Sequence, residues 1–232
     1  LGQAGKRVVL ADLDLGGSNL HLILGIRNVS AGIGNFLNDP NPKADFNKII
    51  LDTDYKNVRF IPGDAEIPGM ANLSLAQKRR LSARLITVDA DYLILDLGAG
   101  TSHHTIDFFL LARQGIIVST PTPTAMVNAY LFLKNAVFRI IQQSVKRGSP
   151  GAQYIDGLLK NAGSLQRIYV QDLLVQLSER DPESSALVQE AFTRFLPRLV
   201  FNMIEDPKDS EKAHKIRRSC QQYLGTDLEH LG

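Results

Sequence analysis

The chain has 232 residues, of which 44% are hydrophobic and 22% charged, with a formal net charge of +2. This length and apolar share support one sizeable core and exclude wholesale disorder. A balance of 26 basic against 24 acidic side chains predicts neither a nucleic-acid coat nor an acidic partner.

Residues 1–5 read as the end of a helix, with Gly5 as its stop. Residues 7–12 follow as an apolar run closing in acid, Val8-Val9-Leu10-Ala11-Asp12. A continuous run without alternation suits a buried parallel strand. Residues 58–62 form the next strand candidate. Residues 75–86 read as a helix with basic residues on one face and Leu75, Leu81 and Leu85 on the other. Residues 92–97 are a second buried strand ending in acid, 115–120 a third and 199–202 a fourth. Helices are expected at 125–145 and 209–224, the latter with Asp209 as its cap.

Strands alternating with helices predict an α/β fold with a mostly parallel central sheet and helices on both faces. Residues 1–232 read as one domain, with a helical insertion at about 148–195. The single thiol, Cys220, cannot form an internal disulfide, which suits a reducing cytoplasm, and its helical setting marks it as a packing residue. No run reaches the roughly 18 to 20 apolar residues of a membrane span. The first residues do not make a signal peptide. Both ends read as cut.

In open parallel sheets, ligands bind beyond the carboxyl ends of the strands. The residues there are Asp12-Leu13-Asp14-Leu15-Gly16-Gly17-Ser18-Asn19, then Asp96-Leu97-Gly98-Ala99-Gly100-Thr101-Ser102, then Thr120-Pro121-Thr122-Pro123-Thr124. A nucleoside triphosphatase needs a carboxylate for magnesium at such an edge, usually through water. It needs a group to orient the attacking water, and small residues where backbone N–H groups meet the γ-phosphate. Asp96, at the end of an apolar run, suits the metal. Asp14 suits the water, with Asp12 supporting the metal. Gly98 and Gly100 suit the phosphate. Alone, an Asp at a strand end is more often a turn former or helix cap, so the reading rests on the conjunction. No stretch matches G-x-x-x-x-G-K-[ST]; residues 2–6 only echo it, and they precede a strand instead of following one.

With these residues in view, the chain resembles the MinD/ParA ATPases, most closely the MinD-like proteins of the flagellar-number regulator type. Residues 5–21 look like the segment after the P-loop helix, and residues 96–101 like the Walker B and switch II segment. Residues 115–124 look like the next strand, Asn128-Ala129-Tyr130 like the start of its helix, and residues 198–202 like the strand whose Asn contacts adenine. The likeness covers residues 1–135 and 195–232.

The resemblance implies an ATP-hydrolysing dimer switch with Mg2+ as cofactor, in which ATP lies between two subunits. It implies that the P-loop lies just upstream of Leu1. Asp12 and Asp96 would serve magnesium and Asp14 the hydrolytic water. Gly16 and Asn19 would shape the first switch, Gly98 and Gly100 would meet the γ-phosphate, and Asn202 would read adenine. It further implies protein partners, a homodimer when ATP is bound, and a cytoplasmic location. Many relatives reach the membrane by a C-terminal amphipathic helix; residues 1–232 end before one would be seen, so the resemblance leaves membrane binding open. Thr122 departs from the family, standing where relatives often carry an acid. His103 and His104 depart as well, and adjacent residues rarely present both rings to one ion, so a capping or solvated role is expected for them. The competing readings are a ParA-type DNA-partitioning ATPase, which the small net charge supports weakly, and a scaffold that does not hydrolyse ATP, against which Asp12, Asp14 and Asp96 argue.

Overall fold

The computed structural model describes residues 1–63, 72–112, 114–162 and 168–231. The chain divides into two units, Leu1–Leu111 and Ala112–Gly232.

In the first unit the aliphatic runs become parallel strands. Strand β1 (Val8–Asp12) is followed by the short helices α1 (Leu20–Ile23) and α2 (Ile33–Asn38), then by β2 (Leu51–Asp52) and β3 (Val58–Ile61). Helix α3 (Leu75–Leu85), strand β4 (Tyr92–Asp96) and helix α4 (His103–Phe109) complete it. The sheet order is β2-β3-β1-β4, parallel except for the β2–β3 pair. One sheet face is made by Val9, Ala11, Leu93 and Leu95. It packs on a core of Ile33, Phe36, Phe46, Leu81, Leu85 and Phe108. Helix α3 starts with a capping box, Ser74 accepting from the Gln77 N–H while the Gln77 side chain accepts from Ser74 N–H. At the start of the chain, a short 3-10 turn (Gly2–Ala4) ends at Gly5 with φ 80°, the left-handed stop that a missing side chain permits.

The second unit holds β5 (Ile116–Ser119), α5 (Pro123–Ser144), α6 (Pro150–Ala162), α7 (Val170–Arg180), α8 (Pro182–Arg194), β6 (Arg198–Phe201), α9 (Glu211–Leu224) and β7 (Glu229–His230). Its sheet is parallel, in the order β5-β6-β7. Helix α5 buries Leu133, Ala136, Val137 and Ile141 and packs on α8 and α9. Cys220 is fully buried on α9, and burial pushes its thiol up to about 12, which suits packing and not nucleophilic chemistry. Residues 148–195, expected as a helical insertion, hold helices α6, α7 and α8 among the described residues; residues 163–167 lie outside them. Among the described residues, no helix is long and apolar enough to cross a membrane.

Two sequence expectations need correction. The runs at 92–97 and 115–120 were expected to be buried strands, yet Tyr92, Ile94, Ile116 and Val118 are all exposed. β4 and β5 are end strands of their sheets, and the exposed residues alternate along each, so one face of each strand is uncovered. Asp209 does not cap α9. Asp206 caps the preceding 3-10 turn (Pro207–Ser210) by accepting from the Lys208 N–H, while Asp209 pairs with Lys212.

Candidate functional site

Strands β1 and β4 run side by side in register, so their closing acids meet: Asp12 is the lateral partner of Asp96. The Leu13 N–H donates to the Asp96 carbonyl at 2.8 Å, which extends the pairing one residue past the strand. Both acids therefore stand at one carboxyl edge, together with the loops that follow them.

Asp12 is fully buried. Its Oδ2 accepts from the Ser18 hydroxyl at 2.7 Å and from the Leu20 N–H at 3.0 Å, and its Oδ1 from the Asp14 N–H at 3.2 Å. Three donors from one loop converge on one carboxylate, which fixes residues 13–20 as a closed arch. The arch has no room for other side chains. A β-carbon on Gly63, just past β3, would lie 2.7 Å from Ser18 Oγ and 2.8 Å from the Asp12 carbonyl oxygen. Sequence reading overlooked Ser18 and Gly63, although both stand next to strand ends at the expected edge.

Asp14, half-buried, leaves the arch and turns its carboxylate between two glycines. A β-carbon on Gly98 would lie 2.5 Å from Asp14 Oδ1, and one on Gly17 would lie 3.2 Å from Oδ2. Gly100 is required for another reason: its φ is 111°, while the space around it is open. Gly16 and Asn19 lie exposed on the arch, Asn19 just before α1, whose Leu22 N–H donates to the Asn19 carbonyl.

Asp96 keeps solvent access at the strand end. Desolvation raises its carboxyl above the usual range, and the charges of Asp12 and Asp14 raise it further. Mutual repulsion among three carboxylates is what a divalent cation relieves, so the donor set fits magnesium. Among the described residues, no three His, Cys, Asp or Glu side chains are placed to hold an ion by themselves. That agrees with magnesium's habit of keeping several waters and using one or two carboxylates beside substrate phosphates.

His103 and His104 open α4 behind Ser102, whose hydroxyl accepts from the Thr105 N–H. Thr122 caps α5. In the second unit, Asn202 follows β6 at the strand's carboxyl end. Its N–H donates to the Ser119 carbonyl at 2.8 Å, and its Oδ1 accepts from the Met203 N–H at 2.9 Å. Met203 holds a left-handed φ of 58° and is exposed.

Alternating helices and parallel strands, with acids delivered to a carboxyl edge, give a mixed α/β fold that matches the fold of MinD-like proteins. The comparisons narrow the class. The antiactivator FleN of Pseudomonas aeruginosa is 24% identical over 226 residues, 90% of this chain and 78% of FleN. The flagellum site-determining protein YlxH of Helicobacter pylori is 29% identical over 136 residues, 58% of this chain and 45% of YlxH. The chain thus spans less than half the length of YlxH. The apo structure of McdA from Cyanothece matches the fold with a TM-score of 0.55 at 17% identity, over 96% of this chain and 73% of McdA. No family model matches. In sequence the chain is thus similar to flagellar proteins, FleN and YlxH, and in fold to MinD-like proteins.

Proposed function

We propose that the protein is an ATP-binding and ATP-hydrolysing dimer switch of the MinD/ParA type, acting in the cytoplasm as a spatial regulator of a cellular structure such as the flagellum or the division site. One observation carries this reading: Asp12, Asp14 and Asp96 share one strand edge, with Gly98 directly beneath the Asp14 carboxylate. The relationship to FleN and YlxH supports it, and McdA, a neighbour in fold, has been solved as an ATP complex. The two units act together as one ATPase domain, with the helices of 148–195 as an insertion.

In this reading each residue has a separate task. Asp96 would hold the magnesium ion. Asp12, saturated by the arch, supports it by keeping residues 13–20 closed. Gly16 and Asn19, exposed on the arch, shape the first switch. Asp14 accepts a hydrogen bond from the attacking water and orients it toward the γ-phosphate. Gly98 and Gly100 let backbone N–H groups approach that phosphate, and Asn202 offers its amide to adenine as donor and acceptor. Magnesium, when bound, neutralises phosphate charge as it develops. In this reading a P-loop supplies the rest of the phosphate grip, and no stretch of residues 1–232 matches its pattern, so the full-length protein is the one to test.

The test is phosphate release and molecular mass of the full-length protein, with and without ATP. Magnesium-dependent turnover, with a dimer that accumulates in ATP when Asp14→Ala blocks hydrolysis, is the expected outcome. A full-length protein that binds no ATP, or that stays monomeric in the blocked state, overturns the reading.

A further inference from the structure

Helix α4 has only seven residues, too few to hold its own position without tertiary contacts. It begins directly after the turn of residues 97–102, which carries Gly98 against Asp14. Ile106, Phe108 and Phe109 bury its apolar face. Apolar burial attracts but does not fix a helix along its axis. A directional contact does. Lys78 on α3 donates to Asp107 Oδ2 on α4, and the two side chains are only 13% and 10% exposed.

A buried ion pair adds little net stability over a well-packed apolar pair, because both charges lose their hydration. What it adds is a single allowed arrangement. The α3 end of the contact is itself anchored. Arg80, on the same helix, donates to the carbonyls of Asp39 and Asn41 and lies 4.4 Å over the Phe36 ring. His104 precedes Asp107 by one turn. Burial and the nearby Lys78 ammonium lower its pKa, as does His103, while Asp107 opposes the shift. The shift disfavours a second cation at His104 beside the Lys78–Asp107 pair.

We infer that the Lys78–Asp107 pair is a positioning device for residues 97–102: it transmits the anchoring of α3 to α4 and so keeps Gly98 under the Asp14 carboxylate. This rests on the ATPase reading for its functional consequence. Lys78 and Asp107 touch no substrate in this scheme. They set the rate at which the oriented water attacks, and leave nucleotide affinity to the phosphate grip elsewhere.

The experiment uses the full-length protein with Lys78→Met, Asp107→Leu, both together, and Lys78→Arg. Three readouts are taken: ATP turnover, melting temperature and amide hydrogen exchange across residues 97–102. In the double variant the melting temperature stays close to wild type, the amides of 97–102 exchange faster, and kcat falls about tenfold with KM within about twofold. Lys78→Arg, which can still pair with Asp107, retains both turnover and protection. If the double variant does not fold, Lys78→Gln gives the same readouts with a shorter neutral donor. A double variant with wild-type kcat and unchanged exchange at 97–102 overturns the inference. A wild-type protein without ATP turnover overturns the ATPase reading instead. Exchange at 97–102 then decides the positioning role alone: faster exchange in the double variant supports it, and unchanged exchange overturns it.

Discussion

The carboxylate of Asp14 rests on the bare α-carbon of Gly98, so closely that a methyl group there would come within 2.5 Å of Oδ1 and 2.8 Å of Cγ. Neither residue can move alone. Asp14 is held from below by its own N–H bond to Asp12, and Gly98 follows two residues after the end of β4. Gly98→Ala therefore expels the Asp14 side chain from its place. Overpacking of this kind costs about 1 to 3 kcal/mol of stability. The expected kinetic consequence is lower kcat for ATP in the full-length protein with little change in nucleotide affinity, because water orientation acts mainly in the transition state. Steady-state kinetics and equilibrium nucleotide binding check it, and a variant with full turnover would separate Asp14 from catalysis.

Asp12 and Asp14 are two residues apart but should differ in what they do for stability. Asp12→Ala leaves the Ser18 hydroxyl and the Leu20 and Asp14 N–H groups without their buried acceptor. Orphaning buried donors costs about 1 to 3 kcal/mol each at partly relaxed sites, so a loss of about 3 kcal/mol is expected. Asp14→Ala removes no bond accepted by its carboxylate within the described set and should change stability far less. Urea unfolding of chain 1–232 carrying each substitution gives the comparison. Equal midpoints for the two variants would mean that Asp12 does not order the arch.

In the second unit, Asp181 ties the helices of 150–194 to one another. Its carboxylate accepts from the Ser184 N–H at 3.0 Å and from the Gly151 N–H at 3.2 Å. Gly151 has no space for a side chain, since a β-carbon would lie 2.7 Å from Leu177 Cδ1. Hydrogen bonds, led by the Ser149 hydroxyl, hold the Asp181 carboxyl well below the usual carboxylate range. A depressed carboxyl contributes stability that is present above its unfolded value of 3.8 and lost as pH falls through the lower folded value. Asp181→Asn should thus lower the melting temperature at pH 7 and shrink the difference from wild type at strongly acid pH. A constant difference across that range would assign the effect to packing.

The sequence made β1 and β4 legible because each is an aliphatic run closed by an acid, and register then brings Asp12 and Asp96 together without further information. Helices α1, α2 and α4 were not legible. Each has four to seven residues, too short for a periodic pattern, and is placed by what it packs against. The exposed faces of Tyr92, Ile94, Ile116 and Val118 were missed for a related reason: an apolar run marks a strand but not its place in the sheet order. The Gly98–Asp14 contact and the Gly63–Ser18 contact join distant segments, and nothing local announces them. The glycines could be read as turns, but not as seats for particular side chains. Asp209 was misassigned as a cap because Asp206, with a Pro after it, offers the same chemistry three residues earlier.

The three acids at the strand edge also make a prediction about protons and magnesium. Asp96 has its carboxyl raised, first by desolvation and then by Asp12 and Asp14. A raised carboxyl favours the protonated folded state. Its contribution to stability is therefore fully present below the unfolded value of 3.8 and is lost as pH rises through the higher folded value. In its charged form Asp96 works against folding, because it is partly desolvated and faces two like charges. Asp96→Asn should raise the melting temperature of chain 1–232 at pH 7, and the gain should shrink as pH falls through the raised folded value. Magnesium at millimolar concentration relieves the same repulsion, so it should stabilise wild type and leave Asp96→Asn nearly unchanged. Chelation should reverse the first effect and not touch the second. Melting curves at several pH values, with magnesium and with a chelator, measure all of this. If magnesium stabilised both forms equally, the ion would be acting elsewhere on the chain, and Asp96 would lose its claim as the metal carboxylate.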